Sequence, residues 1–134
     1  MLAKEIENPD AFGGIVPFTS LSRSDNDFSE KGLYWRGSVW LPTAYAALVG
    51  LKKYGLHKLT HQASCKLLEH MYKTYTDFEP HTIWECYSPT AYKPATNETG
   101  TEALVRPDFC GWSALGPISV YIEFVLGFHT INAF

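Results

Sequence analysis

Lys58-Leu59-Thr60-His61-Gln62-Ala63-Ser64-Cys65-Lys66-Leu67-Leu68-Glu69-His70-Met71-Tyr72-Lys73-Thr74-Tyr75 is the stretch that decides the fold class. Leu59, Ala63, Leu67, Met71 and Tyr75 recur every four residues, while Lys58, Gln62, Lys66 and Lys73 take other faces. That spacing puts the apolar side chains on one stripe of an α-helix and the charged ones toward water. Just upstream, Pro42 sits where a first helical turn tolerates proline, and Gly55 is placed to end the helix it opens. Tyr45, Leu48, Leu51 and Tyr54 are predicted on one face of that helix, about three or four turns long. A junction as tight as the one at Gly55 makes antiparallel neighbours, an αα-hairpin, so the reading is all-α.

Outward from the hairpin the chain turns irregular. Asn8 to Gly32 is rich in Pro, Gly, Ser and Asp and reads as a long ordered loop, a length uncommon in a compact domain unless it serves a function. Thr82-Ile83-Trp84-Glu85-Cys86-Tyr87 is short and aromatic, and Ser88 to Pro107 is a polar loop. A third helix is predicted from near Ser113 to Gly127 with Leu115, Ile118, Ile122, Val125 and Leu126 inward. It is apolar nearly all round, which three helices and two loops cannot bury, so the rest of a longer chain or another subunit is expected to cover it.

Composition narrows the function. The chain has 134 residues and a net charge of −3 without a run of five like charges, which argues against nucleic acid or an anionic membrane as partner. Aromatic residues make up 15 %, a load that either fills a large core or lines a binding cleft. The apolar run Ala114 to Phe128 is too short to span a bilayer and contains Glu123, so the chain reads as soluble, its compartment left open. Met1 to Glu5 lacks the pattern of a signal peptide. Cys65, Cys86 and Cys110 show no CxxC spacing, and a Cys86–Cys110 bridge is the minor alternative to free thiols. His57 and His61 stand four apart but without the glutamate of HExxH, so a solvated helix face is the better reading than a metal site. No cofactor motif, phosphate-binding glycine loop or G-x-S-x-G elbow is present.

Three segments can carry chemistry. In Tyr34-Trp35-Arg36-Gly37-Ser38-Val39-Trp40, Trp35 and Trp40 offer flat platforms for sugar faces, and Arg36 can bind hydroxyls or orient a carboxylate. Gly37 lets the backbone pass close by; the plainer alternative is an aromatic helix cap with Arg36 stacked on a Trp. Glu85, between Trp84 and Tyr87, has apolar flanks that suit acid–base work, or else it points to solvent at the end of a short strand. In Asp108-Phe109-Cys110-Gly111-Trp112-Ser113, Trp112 can wall a pocket while Asp108 or Ser113 caps the helix that follows.

Taken in order, these segments resemble the C-terminal region of (α/α)6-barrel glycosidases. The motifs are Gly32-Leu33-Tyr34-Trp35-Arg36-Gly37-Ser38-Val39-Trp40-Leu41-Pro42-Thr43, Leu51-Lys52-Lys53-Tyr54-Gly55, Thr82-Ile83-Trp84-Glu85-Cys86-Tyr87-Ser88-Pro89 and Asp108-Phe109-Cys110-Gly111-Trp112-Ser113-Ala114-Leu115-Gly116-Pro117. The resemblance is to glycoside hydrolase family 63 and its mannosylglycerate-hydrolase-type relatives, more distantly to the family 37 trehalases, from about Asn8 to Gly127. It implies a six-hairpin (α/α)6 toroid of which residues 1–134, read as one region, supply about three helices with long functional loops. A full barrel of twelve helices needs roughly 400 residues. The resemblance further implies an inverting hydrolase acting on an oligosaccharide or glycoside, with Glu85 as general base and Tyr34, Trp35, Arg36, Gly37, Trp40, Tyr87 and Trp112 lining the sugar subsite. The family's general acid is an aspartate upstream of the Tyr34 motif, and nothing in residues 1–32 matches its context. Cys86 stands where many relatives have asparagine, and Cys110 also departs from the usual residue. Non-catalytic sugar binding and assembly through the last helix are the competing readings.

Overall fold

The computed structural model describes residues 2–98 and 102–129. Three α-helices, α1 (Leu2–Glu7), α2 (Leu41–Lys53) and α3 (His57–Asp77), are followed by a 3-10 turn, Trp112–Leu115, and a C-terminal helix of wide π-type turns, Gly116–Val125. The chain is thus all-α, and strand-like pairing among the described residues is confined to isolated β-bridges between loops.

The hairpin forms as its pattern dictates. Pro42 sits in the first turn of α2, and Gly55 closes its end with φ +74°, where a side chain would be strained. Leu41, Ala44, Leu48 and Leu51 are buried on α2 against Ala63, Leu67 and Met71 of α3. Two expected inward residues are displaced: Tyr54 lies past the last turn and is 82 % exposed, and Tyr75 faces outward. In their place the polar Thr60, Ser64, His70 and Thr74 are buried along α3. Ser64 and Thr60 hydroxyls donate back to the carbonyls of Thr60 and Leu56, which satisfies them without leaving the helix.

The C-terminal helix packs antiparallel on α3: Gly116 meets Met71 and Leu41 at one end, and the Phe124 carbonyl faces His61 Nδ1 at 3.1 Å at the other. Its inward residues are Gly116, Val120 and Phe124, not the predicted Ile118, Ile122, Val125 and Leu126. Ile118, Ile122 and Leu126 stand 56 %, 42 % and 47 % exposed. The reason is local. A side chain at Gly116 would collide with Met71, so this glycine fixes which face approaches α3, and the wide turns then bring round every fourth residue. The outer face of this helix is apolar and without a partner among the described residues, as its sequence leads one to expect.

Loops build the other half of the molecule. Antiparallel bridges join Thr19 to Val39, Val39 to Tyr87, Tyr87 to Pro94 and Thr96 to Leu104, so five loop segments lie side by side. Val16, Phe18, Val39, Trp84, Cys86, Tyr87, Ala95 and Val105 fill the core beneath them. Arg23 staples the first loop to the others by donating from Nε to the Gly13 carbonyl (2.9 Å) and from Nη2 to the Pro89 carbonyl (2.7 Å). Partial burial lowers the pKa of its guanidinium. Such backbone contacts explain how a loop of this length stays ordered: its polar groups find partners. Among the described residues no helix is long and apolar enough to cross a membrane.

Candidate active site

The loop entering α2 and the loop leaving Trp84 run beside each other because Val39 and Tyr87 exchange backbone hydrogen bonds of 2.9 and 3.1 Å. That pairing brings Tyr34 to Glu85. The Tyr34 hydroxyl donates to Glu85 Oε1 at 2.8 Å. The bond to the carboxylate, followed by burial, pushes the Tyr34 phenol up to about 12. Glu98 adds a weaker electrostatic effect in the same direction.

Aromatic rings surround this pair. Trp35 and Trp40 are stacked with centroids 4.2 Å apart and planes within 9°. Trp40 is the inner ring, 2 % exposed, packed edge-on by Tyr34 and donating from Nε1 to the Tyr34 carbonyl at 3.3 Å. Trp35 is the outer ring, 50 % exposed, so one flat face is free. On the far side Trp112, 41 % exposed, lies 6.0 Å from Trp40 and packs on Phe109 at 4.6 Å. Its Nε1 donates to the Glu85 carbonyl at 3.1 Å, and the Ser113 hydroxyl donates to the same oxygen at 3.0 Å. The Glu85 amide donates to the Arg106 carbonyl at 3.0 Å, while the Arg106 amide faces Glu85 Oε2 at 3.5 Å.

The remaining residues singled out from the sequence take supporting positions. Arg36 is exposed and pairs with Asp27, donating from Nε to its carbonyl (2.8 Å) and from Nη2 to Oδ1 (3.3 Å). The carboxylate it orients is therefore that of Asp27. Gly37, at φ +139°, is buried where a Cβ would come within 2.8 Å of the Phe28 ring and 2.9 Å of the Ser29 carbonyl. Tyr87 is 1 % exposed, its hydroxyl accepting from the Trp84 amide at 3.3 Å, which puts it beneath the cluster. Behind it His70 is fully buried, 6.0 Å from the Tyr87 ring. Among the described residues neither nitrogen of His70 has a partner in hydrogen-bonding geometry, and burial lowers its pKa to about 4, only partly offset by the Ser88 backbone.

Other expectations resolve plainly. Cys65, Cys86 and Cys110 are all free, so the Cys86–Cys110 bridge is not formed: one thiol is buried and the other exposed. Burial pushes the Cys86 thiol up to about 12, which rules it out as a nucleophile. His57 and His61 lie on the exposed face of α3, and no group of three or more potential ligands for a metal ion occurs among the described residues. Asp108 and Ser113 do not cap the 3-10 turn. Asp108 accepts from the Thr82 hydroxyl at 2.6 Å, and the Ser113 hydroxyl goes to Glu85. Ser113 and the Arg106 backbone are the site groups that sequence reasoning missed, and no local pattern marks them.

Two apolar cavities border this cluster without reaching Glu85. One of about 680 Å³ runs between α3 and the C-terminal helix, lined by Leu68, Met71, Tyr72, Tyr75, Pro117 and Tyr121. The other, about 460 Å³, lies between the first loop and α2, lined by Phe12, Phe18, Trp35, Ala47 and Tyr54. Both are almost wholly apolar. The larger volume therefore marks an uncovered helix face, whereas the polar groups converge at Glu85.

Residues 1–101 match the mannosylglycerate hydrolase MGH1-like glycoside hydrolase domain. The chain belongs to that family, a group of glycoside hydrolase domains. It is also 27 % identical, over 124 residues, to an uncharacterized protein of Borreliella burgdorferi. That alignment covers 91 % of this chain and 26 % of the relative, so the chain spans about a quarter of the length of the curated protein it matches.

Proposed function

We propose that residues 1–134 form part of the catalytic domain of an inverting glycoside hydrolase, with Glu85 as its general base. The observation that carries this reading is the Tyr34–Glu85 hydrogen bond of 2.8 Å set among three tryptophans. A carboxylate held by a phenol on one oxygen keeps lone pairs on the other for a water molecule. In an inverting hydrolase that water attacks the sugar carbon as Glu85 takes its proton, while an acid on the opposite face protonates the leaving oxygen. The two carboxyls stand roughly 6.5–9.5 Å apart to admit the water. The acid is proposed to come from outside these residues, in keeping with a relative about four times as long. Trp35 offers the free ring face on which a sugar would stack, and Trp112 the facing wall.

An (α/α)6 toroid is the architecture this reading requires. The antiparallel hairpin with an apolar cavity between α3 and the C-terminal helix is what one sector of such a ring would present, with a neighbouring hairpin as the occupant. The outward Ile118, Ile122 and Leu126 belong to the same uncovered surface.

The test is hydrolysis of mannosylglycerate, the sugar derivative named in the family description, by the longest polypeptide whose reading frame carries this segment. The anomer first released is followed by proton NMR. Inverted product, with kcat lowered roughly a thousandfold in Glu85→Gln, supports the proposal. Undiminished turnover in Glu85→Gln removes it. Sugar binding that is lost in Trp35→Ala, without hydrolysis in any form, would point instead to a binding role.

A further inference from the structure

Glu85 lies in no helix or strand, so no ladder of backbone bonds holds it. A half-buried loop residue must still satisfy its amide and carbonyl, and the partners it finds decide where its side chain points. Here every such partner comes from one short segment. The Arg106 carbonyl takes the Glu85 amide, the Arg106 amide faces Oε2, and Trp112 Nε1 and Ser113 Oγ both donate to the Glu85 carbonyl. Residues 106–113 form a collar around the carboxylate residue, beyond the stretch that matches the family.

We propose that Ser113 is a positioning residue for the Glu85 carboxylate: its buried hydroxyl, with the Trp112 indole N–H, fixes the Glu85 peptide plane so that the side chain reaches Tyr34. The geometry supplies each step. Ser113 is fully buried, so its hydroxyl does not exchange this partner for water. It sits in the 3-10 turn Trp112–Leu115, and the next residue, Gly116, is pressed against Met71 and Leu41. The turn is thus tied to the helical hairpin, and the hydroxyl passes that rigidity to the Glu85 carbonyl. From a fixed peptide plane the side chain has a small set of staggered conformers. The one present places Oε1 2.8 Å from the Tyr34 hydroxyl. Ser113 is not a helix cap, because no side-chain cap bond is made at this turn. The hydrogen bond its side chain makes among the described residues goes to the Glu85 carbonyl, and so it acts through Glu85.

This inference rests on the reading of Glu85 as the base, and its test separates the two. The full polypeptide is labelled selectively at Tyr and Glu. The nuclear Overhauser cross-peak between the Tyr34 ring and the Glu85 side chain is followed, assigned by its loss in Tyr34→Phe and in Glu85→Gln. In Ser113→Ala the cross-peak is expected to vanish and kcat to fall roughly ten- to a hundredfold with KM within about twofold. Ser113→Thr, which keeps the hydroxyl, should restore both. An unchanged cross-peak and kcat in Ser113→Ala overturn the proposal and leave Ser113 a packing residue. Should Ser113→Ala fail to fold, Trp112→Phe decides, since it removes the other donor to the same carbonyl and keeps the ring; an intact cross-peak there refutes the collar. Loss of the cross-peak in Ser113→Ala beside full activity of Glu85→Gln would uphold the positioning and remove the hydrolase reading.

Discussion

Tyr34→Phe removes one oxygen and leaves the ring against Trp40, so it isolates the bond to Glu85. A hydrogen bond to a charged group contributes about 1.5–3 kcal/mol when shielded. The phenol, pushed up to about 12 from an ordinary value near 10, corresponds to at most about 2.7 kcal/mol on the same scale. Both groups reach solvent, and water screens the pair, which leaves about 1 kcal/mol. The variant should unfold in urea at a midpoint lower by roughly 0.5 M at pH 8, since urea slopes are about 1–3 kcal/mol per molar. The pH dependence gives the decisive sign. The native state holds the Tyr34 proton more tightly than the unfolded chain, so the contribution is complete below pH 10 and disappears as pH rises through about 12. The gap between native protein and variant should therefore be constant to pH 10 and close above it. Equal midpoints at pH 8, or a gap that persists unchanged past pH 12, would refute the reasoning.

His70 gives the mirror case at acid pH. Burial holds its pKa near 4 against about 6.5 in the unfolded chain, so stability present above pH 6.5 is lost as pH falls through 4. The loss is about 3 kcal/mol, and His70→Leu should flatten it in urea titrations between pH 6.5 and 4. Gly37→Ala places a methyl group against the Phe28 ring and the Ser29 carbonyl at a left-handed φ. It should cost about 2 kcal/mol or more by denaturant unfolding, and dislodging the loop should quench the signal of the stacked Trp35–Trp40 pair.

The helical hairpin was legible because its information is local: Leu59, Ala63, Leu67 and Met71 keep their spacing, and Gly55 ends α2. The C-terminal helix was legible in place but not in register, since Gly116 sets the buried face through a contact with Met71 some forty-five residues away in sequence. The site divides along the same line. Aromatic and acidic residue types flagged Trp35, Glu85 and Trp112, the family resemblance added Tyr34, and the structure brings those four together. Arg36 turned to Asp27, and Tyr87 sank beneath the cluster, because neither partner choice nor depth is written in residue type. Ser113 was read as a cap because serine before an apolar run usually is one. Only the fold shows that the Glu85 carbonyl competes successfully for its hydroxyl.

Backbone strain points to the same place as the hydrogen bonds. Among the described residues, four that are not glycine adopt positive φ: Phe18, Leu33, Tyr34 and Asp108. Left-handed backbone costs an ordinary residue about 1–2 kcal/mol, so such residues persist only where surrounding contacts hold them. All four lie in the loops, and none in the helices. Phe18 precedes the Thr19–Val39 bridge, Leu33 and Tyr34 open the tryptophan motif, and Asp108 starts the turn toward Trp112. Each strained stretch is tied across to another loop: Tyr34 N–H to the Thr96 carbonyl at 2.9 Å, Phe109 N–H to the Ile83 carbonyl at 2.8 Å. A sequence selected for folding alone would relieve these positions with glycine. Keeping a phenol at φ +59° makes sense where the hydroxyl must meet a carboxylate, and the Tyr34–Glu85 bond is where that strain is spent.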